Sequence, residues 1–122
     1  MTHPSTPNPL VLIVEDELLI ATSLEMTLEL GGYRILGPAA TIGEAEALLD
    51  EHRPDIALID YRLANTTTEP LLPRLEAGAI PVCVLSGYAR DQLPAAYGRH
   101  MLLEKPFSRQ QLMNTLQSLK GD

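Results

Sequence analysis

Five polar residues that could do chemistry together lie far apart in the sequence, each just after a short apolar run. They are Glu15, Asp16, Asp60, Ser86 and Lys105. If the three carboxylates meet, two of them about 5 Å apart repel by roughly 3 kcal/mol at an effective dielectric constant near 20. A lysine offsets one negative charge, and a hard divalent cation with oxygen ligands offsets the others. The sequence has no cluster of Cys and His ligands, so this donor set favours magnesium over zinc.

A carboxylate held beside such a cation has a definite reactivity. It can attack phosphorus and form an acyl phosphate, because the metal neutralises charge on the phosphoryl oxygens. The Ser86 hydroxyl and the Lys105 ammonium group would then bind other phosphoryl oxygens. The five residues therefore allow phosphoryl chemistry, provided that the fold brings them to one place.

The apolar runs before these residues predict strands. Residues 10–14, 56–59, 81–85 and 101–103 form short apolar segments, which are typical of parallel strands covered on both faces. A further strand is predicted at 33–36, closed by a Gly-Pro pair.

Helices are predicted between these strands. Ile20, Leu24 and Leu28 recur every fourth residue and predict a helix that ends at two glycines. Thr41 and Ser108 are the predicted N-caps of two other helices.

Two stretches have weaker helical patterns. A helix is expected over 70–76, with Pro73 in its first turn or at a kink. Residues 87–98 contain Pro94 between two terminal glycines, so we expect at most a short helix there.

Strand and helix alternate five times, which predicts an α/β fold. The expected architecture is a five-stranded parallel sheet with helices on both faces, the flavodoxin-like doubly wound fold. Ligands bind such sheets outside the carboxyl ends of the strands, where the strand order reverses. The five polar residues are therefore expected to converge at that edge.

Composition limits the function further. The 122 residues have room for one domain, predicted at 10–122, after a flexible lead-in at 1–9 with three prolines. A net charge of −7 argues against binding to nucleic acid or to an anionic membrane. The single cysteine, Cys83, lies in an apolar run and is expected to be buried, and the protein is expected to be cytoplasmic.

The polar residues and their neighbours resemble the receiver domain of two-component response regulators. The similar segments are Val14-Glu15-Asp16-Glu17, Asp60, Ser86 and Lys105-Pro106-Phe107, in this order at strand ends. The resemblance implies a signalling domain that catalyses only its own phosphorylation and dephosphorylation. Its phosphoryl donor would be a sensor histidine kinase or a histidine phosphotransfer protein, and its output an unidentified downstream protein.

The same resemblance implies a role for each site residue. Asp60 is the phosphoacceptor. Magnesium is held by Glu15, Asp16, Asp60 and the backbone carbonyl of Arg62, whereas Ser86 and Lys105 bind the phosphoryl group.

The sequence departs from the family pattern at one switch position. Receivers usually have Tyr or Phe three residues before the lysine, where this sequence has Leu102. Tyr88, or less favourably Tyr97, is the expected replacement. Ser86-Gly87-Tyr88 is also similar to a single-domain subfamily with a Phe-Ala-Thr-Gly-Tyr stretch at this strand.

Two other functions are compatible with the same fold. One is a receiver-like scaffold that binds a partner without phosphorylation. The intact set of acidic residues argues against it, whereas the missing aromatic residue keeps it open. The other is a flavodoxin-type cofactor carrier, which is disfavoured because no Ser/Thr/Gly-rich loop follows the first strand. We expect no effector domain after residue 119, and therefore a stand-alone regulator that acts through another protein.

Overall fold

The computed structural model describes residues 8–120, which form an α/β fold. The strands of the main sheet are β1 (Leu10–Val14), β2 (Arg34–Ala39), β3 (Ile56–Asp60), β4 (Val82–Ser86) and β5 (Met101–Glu104). The α-helices are α1 (Leu18–Leu30), α2 (Ile42–Glu51), α3 (Leu72–Ala77) and α4 (Arg109–Leu119). A small hairpin after β3 pairs Arg62–Leu63 with Thr66–Thr67 and leads into a 3-10 turn at Glu69–Leu71.

The five strands of the main sheet are parallel, in the order β2-β1-β3-β4-β5. β1 pairs with β2 on one side and with β3 on the other, so the direction of winding reverses between β1 and β3. In sheets of this type, ligands bind at that reversal, outside the carboxyl ends of the strands. The predicted doubly wound parallel sheet is confirmed.

Alternate residues of the central strands supply two apolar cores, one on each face of the sheet. Val11 and Ile13 of β1 belong to the core that α1 and α4 cover. Leu12 and Val14 belong to the opposite core, which α2 and α3 cover. Cys83 in β4 is a buried free thiol, as predicted, and burial raises its pKa to about 12.

Both predicted N-caps are present. The Thr41 hydroxyl accepts a hydrogen bond from the Glu44 N–H at 3.0 Å, and the Ser108 hydroxyl accepts one from the Gln111 N–H at 3.0 Å. The Gln111 side chain in turn accepts from the Ser108 N–H at 2.8 Å, which completes a capping box. These bonds satisfy N–H groups that have no partner within the helix, and each cap is worth about 1 kcal/mol.

The prediction that β2 ends before Gly37 and Pro38 was wrong. β2 continues to Ala39, whose carbonyl accepts a hydrogen bond from the Glu15 N–H at 2.9 Å. β2 lies at the edge of the sheet, where a proline without an N–H is tolerated. Gly37 has a φ of 99°, which other residues rarely adopt, and the register with β1 shifts nearby.

The chain between β4 and β5 has little regular structure, as expected. Residues 87–98, all of which the structure describes, contain two 3-10 turns, Arg90–Gln92 and Ala95–Tyr97. The Arg90 guanidinium group donates to the backbone carbonyls of Gly98 and His100, at 3.3 and 2.8 Å, and so fixes the end of the stretch. We refer to residues 87–98 as the 87–98 segment.

The prediction for the start of the chain is largely outside the described residues. Of the proposed lead-in at 1–9, the structure describes Asn8 and Pro9, whose carbonyls accept hydrogen bonds from Arg34 at 2.8 and 2.9 Å. Over residues 8–120, every helix is too short or too polar to cross a bilayer.

Candidate functional site

Four of the five predicted site residues lie at the carboxyl ends of neighbouring strands. Glu15 directly follows β1, Asp60 is the last residue of β3, and Ser86 is the last of β4. Lys105 directly follows β5. Because these strands are parallel and adjacent, the four residues lie along one edge of the sheet, beside the reversal in strand order.

Asp60 and Lys105 form an ion pair. Lys105 Nζ donates a hydrogen bond to Asp60 Oδ2 at 3.1 Å. The Lys105 side chain is 31% exposed and the Asp60 side chain is 11% exposed. The Lys105 N–H donates to the Ser86 carbonyl at 2.7 Å, which anchors the backbone of the lysine beside β4. The ammonium group therefore offsets the charge of a carboxylate that is still partly open to solvent.

Glu15 is the most perturbed carboxyl group of the site. It is only 2% exposed, and burial together with the neighbouring Asp60 carboxyl raises its pKa to about 7. Glu15 Oε2 accepts a hydrogen bond from the Glu17 N–H at 3.0 Å. Within the described residues, its buried Oε1 has no hydrogen-bond partner. An oxygen of this kind is costly to bury unless a donor or a cation binds it.

The acidic residues fit magnesium. In the part of the chain that the structure describes, no three His, Cys, Asp or Glu side chains form a ready cluster for a metal ion. Asp16 is half-buried next to Glu15 and does not complete such a cluster. Magnesium, however, keeps several waters and needs only one or two carboxylates in most sites. Glu15 Oε1, which has no hydrogen-bond partner in the part of the chain that the structure describes, and the nearby Asp60 carboxylate are oxygen ligands of the required kind.

Ser86 lies at the predicted position, but its hydroxyl is engaged within its own turn. Ser86 Oγ accepts a hydrogen bond from the Tyr88 N–H at 2.8 Å and lies 3.2 Å from the Tyr88 carbonyl oxygen. Ser86 is buried, whereas Tyr88 is 46% exposed. The hydroxyl thus holds the start of the 87–98 segment at the end of β4.

Two other positions that the sequence singled out are Arg62, in the hairpin after β3, and Leu102, within β5. The Arg62 side chain is exposed, and its backbone pairs with Thr67 in the small hairpin two residues beyond Asp60. Leu102, where the sequence departs from the aromatic residue usual in receivers, is half-buried against the core that α2 and α3 cover.

Sequence reasoning missed Thr68. Its side chain is fully buried, and its hydroxyl donates to the backbone carbonyl of Asp60 at 2.6 Å. The Tyr97 hydroxyl lies 3.0 Å from the same Thr68 oxygen, and Tyr97 is 1% exposed. A run of three threonines in a polar loop gave no reason to select the last of them, because the contact joins residues far apart in sequence.

Tyr61 is a second residue that the sequence did not single out. Its ring makes an edge contact with Tyr97 at a centroid distance of 5.2 Å and another with Tyr88 at 5.9 Å. Both partners belong to the 87–98 segment, and Tyr61 directly follows Asp60. The residue next to the central carboxylate therefore contacts the segment near both of its ends.

The sheet order and the residues at its carboxyl edge define a receiver domain. The family model for the response regulator receiver domain matches residues 11–117. The chain belongs to that family. It is 32% identical over 111 residues to the transcriptional regulatory protein PdtaR of Mycobacterium tuberculosis, an alignment that covers 88% of this chain and 54% of that protein. The chain spans about half the length of the curated relatives it matches.

Solved structures of receiver domains have the same fold. A receiver domain from Methylobacillus flagellatus, described as CheY-like, is 26% identical with a TM-score of 0.80, over 92% of this chain and 98% of that chain. The receiver domain of a sensor histidine kinase from Pseudomonas aeruginosa is 27% identical with a TM-score of 0.80, over 94% of this chain and 99% of that chain. That structure is described with a magnesium ion coordinated in its active site cleft.

Proposed function

We propose that this receiver domain accepts a phosphoryl group on Asp60 from a phosphohistidine of a sensor histidine kinase or a histidine phosphotransfer protein. The observation that supports this most is the 3.1 Å contact of Asp60 with Lys105 at the switch point of the sheet, beside the buried Glu15. It combines a nucleophilic carboxylate with a cation at the place where ligands bind in this fold. The phosphorylated form then presents a changed surface to an unidentified downstream protein.

The transfer step uses Asp60 as the nucleophile. One carboxylate oxygen attacks phosphorus and forms an O–P bond, while the P–N bond to the donor imidazole breaks and its electron pair leaves with the imidazole. The Lys105 ammonium group, already beside Asp60 Oδ2, stabilises negative charge on the phosphoryl oxygens. Partial burial strengthens that interaction relative to a pair in bulk water.

Magnesium is the proposed cofactor. The carboxylates of Glu15, Asp16 and Asp60 and the backbone carbonyl of Arg62 would hold it, directly or through the waters that magnesium keeps. Within the described residues Glu15 Oε1 has no hydrogen-bond partner, which supports the role of Glu15 in this set. When bound, magnesium neutralises charge on the phosphoryl oxygens. The magnesium described in the similar kinase receiver domain from Pseudomonas aeruginosa also supports the assignment.

Ser86 and Tyr88 are the proposed switch. When a phosphoryl group is present, we expect the Ser86 hydroxyl to bind one of its oxygens and to release the Tyr88 N–H, its present partner at 2.8 Å. The turn that begins the 87–98 segment then rearranges and moves the half-exposed Tyr88 ring. Movement of the Tyr88 ring would then do the work of the aromatic residue whose position Leu102 occupies in this sequence. The stretch Ser86-Gly87-Tyr88 also supports membership of the Phe-Ala-Thr-Gly-Tyr subfamily.

Intact-mass measurement after incubation with a small phosphodonor and magnesium tests the proposal. The wild-type protein should gain the mass of one phosphoryl group, and Asp60→Asn should gain none. Asp91→Asn is the matched control because it makes the same chemical change at an exposed aspartate, and it should be labelled like the wild type. A wild-type protein without an adduct under these conditions would refute the proposal and favour the phosphorylation-independent scaffold.

A further inference from the structure

A chain of two buried hydroxyl groups links the backbone of Asp60 to the 87–98 segment. The Thr68 hydroxyl contacts the Asp60 carbonyl oxygen at 2.6 Å and the Tyr97 hydroxyl at 3.0 Å. Thr68 is 0% exposed and Tyr97 is 1% exposed, so water does not compete for these bonds. Neither residue belongs to the transfer chemistry or to the proposed switch of Ser86 and Tyr88, although the sequence offered Tyr97 as the less favoured aromatic replacement for Leu102.

The direction of the two bonds follows from the number of hydrogens. A threonine hydroxyl has one hydrogen, and a carbonyl oxygen can only accept. Thr68 therefore donates to Asp60, which obliges Tyr97 to donate to Thr68. Burial raises the pKa of the Tyr97 phenol, so the hydroxyl keeps the proton that it donates. Hydrogen bonds aligned in this way polarise and strengthen one another.

Ring contacts reinforce the same link. The Tyr61 ring, on the residue after Asp60, lies edge-on to Tyr97 at 5.2 Å and to Tyr88 at 5.9 Å. A displacement of the backbone at Asp60 or Tyr61 thus reaches the 87–98 segment through one hydrogen-bonded path and two aromatic contacts. The path through Thr68 ends at Tyr97, on the second 3-10 turn of the 87–98 segment. The contact with Tyr88 lies at the start of that segment.

We propose that Thr68 and Tyr97 are positioning residues that couple the state of Asp60 to the 87–98 segment. The inference rests on the proposed phosphorylation of Asp60 and specifies how the effect of that phosphorylation is passed to the second half of the 87–98 segment. When the Asp60 side chain is modified, its carbonyl shifts, Thr68 follows it, and Tyr97 moves the turn at Ala95–Tyr97. Ser86 and Tyr88 act on the first half of the segment, so the two paths are separable.

Backbone amide NMR shifts with beryllium trifluoride and magnesium test the coupling, because this anion mimics a phosphoryl group on a carboxylate. In the wild type, shifts are expected at Asp60 and Lys105 and throughout the 87–98 segment. In Tyr97→Phe, which keeps the ring, the shifts at Asp60 and Lys105 should remain. Those at residues 95–98 should fall to less than half of the wild-type values. Tyr33→Phe, the same change at the far end of the sheet, should behave like the wild type.

A second pair of variants separates coupling from packing. Thr68→Ser keeps the hydroxyl and should retain the response at residues 95–98, whereas Thr68→Val keeps the shape and should lose it. Equal responses at residues 95–98 in all variants, with the site shifts intact, would overturn the inference and leave the proposed function standing. A wild-type protein that shows no shifts at Asp60 would overturn both.

Discussion

Glu15 provides a quantitative prediction about stability. Burial and the neighbouring Asp60 raise its pKa from the ordinary value of 4.5 to about 7. The folded protein therefore binds this proton more tightly than the unfolded chain does. The stabilisation that this gives is fully present below about pH 4.5 and is lost as the pH rises through 7. The full difference amounts to about 3 kcal/mol, since one pKa unit is worth about 1.4 kcal/mol.

Glu15→Gln isolates this contribution because glutamine has the shape of the protonated acid but does not titrate. Between pH 5 and pH 8, the free energy of unfolding of the variant should rise relative to the wild type by about 2–3 kcal/mol. Urea unfolding followed by far-UV circular dichroism in the presence of a chelator measures both proteins at each pH.

The control for this experiment is Glu29→Gln, the same change at an exposed glutamate of α1. Its unfolding free energy should stay within about 0.5 kcal/mol of the wild type at both pH values. The burial argument for Glu15 is wrong if the unfolding free energy of Glu15→Gln minus that of the wild type stays constant or falls as the pH rises.

Three further substitutions test other parts of the structure. Lys105→Met should slow phosphorylation of Asp60 by a small donor about 100-fold, because it removes the cation beside the carboxylate; an unchanged rate by intact mass would contradict this role. Ser108→Ala should lower the unfolding free energy by about 1 kcal/mol through loss of the α4 cap, whereas the exposed Ser118→Ala should not, and equal urea midpoints would count against the cap. Leu58→Ala should cost about 3 kcal/mol because it leaves a cavity in a fully buried strand; a loss below about 1 kcal/mol would show that the core collapses around the site.

Most of the fold followed from local patterns. The apolar runs gave the strands, and Thr41 and Ser108 marked the helix starts that the structure has. The end of β2 could not be predicted from local sequence, because Gly37 and Pro38 terminate strands in many contexts but are tolerated in a strand at a sheet edge. The edge position depends on the strand order, which no local pattern contains.

The candidate site was predictable to the extent that it lies at strand ends. Glu15, Asp60 and Lys105 come together because parallel strands deliver their carboxyl ends to one edge. The partners of Ser86 were harder to predict, since its hydroxyl bonds to the backbone two residues away rather than across the site. The Thr68 contact with Tyr97 depends on how a hairpin and a 3-10 turn pack, which spacing alone does not determine.

The position of Cys83 has a practical consequence. It is the single cysteine of the sequence and lies fully buried in β4, between β3 and β5. A thiol with a pKa near 12 provides almost no thiolate at neutral pH, and alkylating reagents react with the thiolate. Alkylation of Cys83 in the native chain therefore requires the middle of the sheet to open. The rate of labelling at this one sulfur would report how often the whole domain unfolds, without any engineered probe.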